Sequence, residues 1–125
     1  MREKFKGCKG IGFKSSNILL VSILYSLLSK PSYGYSLLDE IKEIGIDTGE
    51  IPYGILYRTL RLMETDGLVE SEWQIEETGP SKRIYKITDQ GKAYLLDWAK
   101  TAKKRVDKIL DLVIRIEKIL SDSSN

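Results

Sequence analysis

The sequence contains no histidine and a single cysteine, Cys8, in 125 residues. These absences exclude most metal sites, histidine-based proton transfer and any intrachain disulfide. With no nucleophile–base pair, acidic metal cluster or phosphate-binding glycine loop, the chain does not read as an enzyme, and it calls for no cofactor or metal. The densest apolar run, residues 18–28, contains two serines and is too short to cross a bilayer. The start carries no long apolar leader, so the expectation is a soluble, cytoplasmic protein with no membrane partner. A large charge excess is also missing. The net charge is only +2 and the pI about 8.6, so any affinity for a polyanion must come from where cations sit.

Their placement is uneven. Residues 1–14 carry a net charge of +4, residues 15–88 a net of −4 and residues 89–125 a net of +2. The first segment mixes its cations with Gly7, Gly10 and Gly12 and has no helical period, which describes a flexible basic arm. Such an arm is either a solvated tail or a strand of charge along nucleic-acid phosphates. Cys8 within it reads as an ordinary exposed thiol.

Ser15, Ser16 and Asn17 offer helix caps before an almost wholly apolar segment that ends at Lys30-Pro31. A helix apolar on nearly every side should be buried on nearly every side, both by its own domain and by a partner element, with Ile18 at that interface. Leu37, Leu38, Ile41 and Ile44 share a face of a second helix ending near Gly45. A loop over residues 46–51 follows. Leu56, Leu60 and Met63 then mark the buried face of a third helix of roughly 14 residues. Pro52 suits its first turn and Gly67 the left-handed position past its end. On its other side Tyr53, Tyr57, Arg58 and Arg61 project together, a face able to touch phosphates and base edges. Two helices joined by a short connection form a helix-turn-helix arrangement.

After Gly67 the period becomes two. Val69, Ser71, Trp73 and Ile75 alternate with Glu70, Glu72 and Gln74, as in a half-buried strand, and residues 82–87 return as its partner across a Gly79-Pro80 turn. This hairpin is a wing with Lys82 and Arg83 near its tip. Thr88 or Asp89 caps a final helix over residues 89–121, followed by a polar tail over 122–125. Leu95, Ala99, Ala102, Val106, Ile109, Val113, Ile116 and Leu120 recur along it at alternating steps of four and three, a heptad seam. The rod is about 50 Å long, more than the domain needs for its own core, so the seam should be covered by a second copy of the chain. The fold class is therefore mainly α with a small β-hairpin: a winged helix-turn-helix domain over residues 15–88 plus a long C-terminal dimerisation helix.

Several motifs stand together: Tyr33-Gly34-Tyr35 before the second helix; Gly54, Leu56-Tyr57, Leu60, Met63-Glu64 and Gly67-Leu68-Val69 in order; Trp73; and Arg83, Tyr85, Thr88 and Gly91 ahead of the amphipathic helix. With that helix they resemble the PadR family of bacterial and archaeal transcriptional regulators over about residues 17–120. The resemblance implies a winged-helix homodimer that binds a pseudo-palindromic operator in double-stranded DNA and is released by a small molecule. The single terminal helix looks like the family's short branch, some of whose members capture planar aromatic or cationic compounds between subunits. Met63 stands where the family usually has leucine, a volume-conserving change. Acidic Glu70, Glu72, Glu76 and Glu77 along the first wing strand oppose a close approach of that strand to DNA.

Carried onto these positions, the resemblance puts Tyr53, Gly54, Tyr57, Arg58 and Arg61 in or beside the major groove, with Gly54 allowing close backbone approach. Tyr33, Tyr35, Lys82 and Arg83 would contact phosphates. The competing readings are a solvated helix face and, for the tyrosines, core packing. Trp98, beside Ala99 and Ala102, is either one face of a slot for an aromatic effector or a dimer anchor. The alternative for the whole chain is a winged-helix and coiled-coil protein-interaction module without DNA binding, which the acidic central domain favours.

Overall fold

A computed structural model describes residues 15–45 and 50–123, with side chains from Ile18 onward. The basic arm with Cys8, the capping side chains before Ile18, most of the loop after Gly45 and the last two residues lie outside this range. In chain order the elements are α1 (Ser15–Ser29), β1 (Ser32–Tyr33), α2 (Gly34–Ile44), α3 (Tyr53–Thr65), β2 (Val69–Gln74), β3 (Lys82–Ile87) and α4 (Asp89–Ser123). The sheet is antiparallel in the order β1-β3-β2.

This is the winged helix-turn-helix fold that the sequence patterns describe, with a third strand added. Ser32 pairs with Tyr85 and Tyr33 with Ile84, and two paired residues are too few to show an alternating pattern. The final helix also continues two residues past its expected end, through Asp122 to Ser123. Among the described residues no helix is long and apolar enough to cross a membrane.

The core gathers Leu19, Leu20, Ile23, Leu24 and Leu27 of α1, Leu37, Leu38 and Ile41 of α2, Leu56, Leu60 and Met63 of α3, and Leu68, Val69 and Tyr85 at the root of the wing. Each fully buried aliphatic side chain contributes about 1.5–3 kcal/mol, so this cluster is what holds three short helices together. Most of α1 is thus covered by its own chain, Ile18 is half-buried, and only Tyr25 and Leu28 among its large apolar residues stay exposed.

The helix ends follow local chemistry. Gly45 closes α2 in the left-handed region at φ 90°, its N–H donating to the Lys42 carbonyl. Pro52 occupies the cap position of α3, one residue before the first turn, and its carbonyl accepts from the Ile55 and Leu56 N–H groups. At the other end Gly67 has φ 80°, its N–H donates to Glu64 and the Leu68 N–H to Met63. This pair of bonds is the Schellman stop, which favours glycine because of the positive φ. Thr88 caps α4: its hydroxyl accepts from the Gly91 N–H at 3.0 Å and donates to the Gly67 carbonyl at 2.6 Å. The same threonine thereby ties the end of the α3 turn to the start of α4.

Candidate functional site

The side of α3 that carries Tyr57, Arg61 and Glu64 faces the wing, and the two are joined at their base by side chains from three elements. Glu64, in the last turn of α3, accepts a hydrogen bond from Ser71 of β2 at 2.8 Å. Arg83 of β3 donates through Nε to the same Ser71 hydroxyl at 2.8 Å and pairs through Nη2 with Glu64 at 3.4 Å. Its guanidinium also lies 5.3 Å from the centre of the Trp73 ring, directly across the strand pair. Arg83 is therefore engaged within the chain, which proximity to the wing tip alone does not reveal.

Lys82 has a different setting. Its ammonium stands 5.6 and 5.8 Å from the rings of Tyr33 and Tyr35, which stack on each other with centroids 5.5 Å apart. The Tyr33 hydroxyl donates to Gln74 and so reaches past β3 to brace β2. Between this cluster and α3 runs a groove of about 440 Å³, lined by Tyr35, Tyr57, Arg61, Trp73, Lys82 and Arg83 among others. It is cationic and aromatic, a combination suited to a phosphate chain or a flat ring.

On α3 itself Tyr53, Gly54, Arg58 and Arg61 are exposed. Neither Arg58 nor Arg61 forms an ion pair among the described residues. Nothing lies within 4 Å of the position a side chain would take at Gly54, so the start of the helix is open to a ligand. Tyr57 is half-buried and packs toward the core. A side-chain carbon at Gly34 would sit 2.6 Å from its ring, so glycine there makes the room Tyr57 occupies. Burial, with smaller contributions from Tyr53 and Tyr35, holds the Tyr57 pKa above the ordinary value of 10.0. The hydroxyl stays protonated and can donate at neutral pH.

The acidic strand is partly compensated. Glu70 pairs with Lys86 directly opposite at 3.4 Å, whereas Glu72, Glu76 and Glu77 remain exposed. Trp73 and Ile75 are 58% and 87% exposed. The alternation that suggested a half-buried strand thus corresponds to burial only at Val69 and partly at Ser71, because no element covers the hairpin farther out.

Along α4, Leu95 is half-buried against the chain's own core, Ala99 is exposed and Ala102 is buried. Trp98 is half-buried with its indole N–H shielded and without a hydrogen-bond partner. Every residue from 103 to 123 is exposed, including Val106, Ile109, Val113, Ile116 and Leu120 of the seam. Among the described residues no group of cysteine, aspartate and glutamate side chains is placed to hold a metal ion.

Residues 23–97 match the model of the transcriptional regulator PadR-like family. The chain is 35% identical over 78 residues to a protein named a probable transcriptional regulator of Mycobacterium tuberculosis, covering 62% of this chain and 41% of that one. Among solved structures it resembles a PadR family transcriptional regulator from Eggerthella lenta, with a TM-score of 0.68, 27% identity and coverage of 79% and 84% of the two chains. It also resembles Bacillus subtilis PadR, solved in complex with operator DNA, with a TM-score of 0.59, 27% identity and coverage of 66% and 46%.

Proposed function

Because this chain belongs to the PadR-like family of transcriptional regulators, a regulatory and not an enzymatic family, we propose that it binds operator DNA as a homodimer and represses a promoter until a small molecule releases it. The observation that carries the reading is the convergence of Arg61 on α3 with Lys82 on the wing around a groove lined by tyrosines, with Arg58 exposed one turn before Arg61 on the same helix. DNA binding draws most of its free energy from such cations through counterion release, and a net charge of +2 suffices when they share a face. In this reading α3 enters the major groove with Arg58 and Arg61 toward base edges. Tyr53 and the open backbone at Gly54 lie against the adjacent phosphates, and Tyr33, Tyr35, Tyr57 and Lys82 line the path of the strand between helix and wing.

The dimer is the second part of the proposal. Residues 103–123 extend roughly 30 Å beyond the body with a continuous exposed apolar stripe. An unpaired stripe of this size on a free helix would be an aggregation site. A second copy related by a two-fold axis covers it and presents two α3 helices to a pseudo-palindromic operator. Residues 15–88 then form the DNA-reading unit and residues 89–121 the dimerising helix. The indole N–H of Trp98, shielded and without a hydrogen-bond partner, supports a site for a planar aromatic or cationic effector beside Ala99 and Ala102.

Titrating the full chain against duplex DNA from its own promoter at several salt concentrations tests the first part. Affinity should fall steeply as salt rises, and Arg58→Ala and Arg61→Ala should each weaken binding by about 1–3 kcal/mol without altering the fold. An absence of binding at low salt would instead favour a protein-interaction module.

A further inference from the structure

We infer that Arg83 is a positioning residue, which with Ser71 and Glu64 fixes the angle of the wing to α3. DNA affinity then depends on a contact that touches no DNA. The inference rests on the DNA-binding reading above, but its structural core stands apart from it. Glu64 and Arg83 lie 19 residues apart in sequence and on different elements, and Ser71 links them through the strand between.

The direction of each bond is fixed by chemistry. A carboxylate only accepts and a guanidinium only donates, so the Ser71 hydroxyl must take a hydrogen bond from Arg83 and give one to Glu64. It is a relay that neither a methyl nor a branched apolar group can replace. The guanidinium is held on a further side by the Trp73 ring. Residues 72–81 are all exposed, so beyond Ser71 the β2 arm of the hairpin has little packing to orient it relative to α3. The Tyr33–Gln74 bond and the Lys82 ammonium against the Tyr33 and Tyr35 rings brace it from the β1 edge and the start of α2, not from α3. Arg83 paired to Glu64 carries little net charge toward a phosphate, whereas Lys82 has no ion pair among the described residues.

Charge and position make opposite predictions at Glu64. By charge alone, removing an acid from the DNA-facing side should tighten binding. If Glu64 positions the wing, its loss should weaken binding. We would compare Glu64→Gln, Arg83→Gln, Arg83→Lys and the Glu64→Gln/Arg83→Gln pair in the full chain against the promoter duplex across a salt series. The expected result is a loss of about five- to tenfold in each single variant, Arg83→Lys included, with no further loss in the pair. The slope of log affinity against log salt should not change.

Tighter binding by Glu64→Gln, retention of affinity by Arg83→Lys, or a slope reduced by about one in Arg83→Gln would each overturn the inference and make Arg83 a phosphate contact. A second readout needs no DNA. In a Trp98→Phe background Trp73 is the sole tryptophan, and its fluorescence anisotropy should decay faster in Glu64→Gln and Arg83→Gln than in the parent. Unchanged decay overturns the tie itself. Failure of the parent to bind any duplex defeats only the DNA reading, since Trp73 still reports on the tie.

Discussion

The first and second halves of α4 share one apolar period and meet different surroundings. In the first, Gly91 and Ala102 are buried and Leu95 packs on the core. In the second, Val106 through Leu120 continue the same spacing with every residue exposed, Ile119 and Leu120 at 65%. A heptad seam therefore says which side of a helix is apolar and nothing about what covers it. The near half stabilises the subunit; the far half, in the proposed dimer, stabilises the pair.

The largest effect that would break this division is expected at Ile109. Ile109→Asp places an unpaired charge in the covered seam and should destabilise the dimer by about 3–5 kcal/mol. Sedimentation should then show a folded monomer with unchanged helix content in its body. A dimer that survives this change would mean that the far half is not the interface. A smaller effect, on the subunit itself, is expected at Gly91. A side-chain carbon there would collide with the Leu68 carbonyl and with Ile87. Gly91→Ala should therefore lower unfolding stability by about 1–3 kcal/mol in urea, a loss that persists in an Ile109→Asp background. Smallest should be Thr88→Val, which keeps the shape but loses the bonds to Gly91 and Gly67. It should cost about 1 kcal/mol, read in the same unfolding curves.

The wing repeats the lesson on a smaller scale. Val69 and Tyr85 at its root are buried, while Trp73 near the end of β2 and Ile75 just past it are exposed although the alternation in sequence is uninterrupted. The period shows the two faces of the hairpin, but the body ends before the hairpin does. Legible beforehand were the three core helices, the wing, the glycine stops at Gly45 and Gly67, a cap at Thr88 or Asp89 and the exposed arginines of α3. The short strand β1 was not, because two residues pair with β3 without a pattern of their own. Nor were the contacts of Arg83 with Ser71 and Glu64. Its neighbours Lys82 and Pro80 suggest a tip cation, and the signal for its partner was only a glutamate, Glu64, at the far end of the preceding helix.

What the sequence determined by itself is whatever depends on near neighbours. Helix faces follow from spacing, stops from the positive φ that glycine accepts, caps from a hydroxyl three residues before an open N–H, and the long rod from an unbroken seam. Only the tertiary structure decided which of two adjacent cations pairs with a carboxylate, how far out the wing is supported and where α4 leaves the body. Those outcomes turn on distances between groups far apart along the chain, such as Arg83 and Glu64, and such distances are set by how the whole core packs.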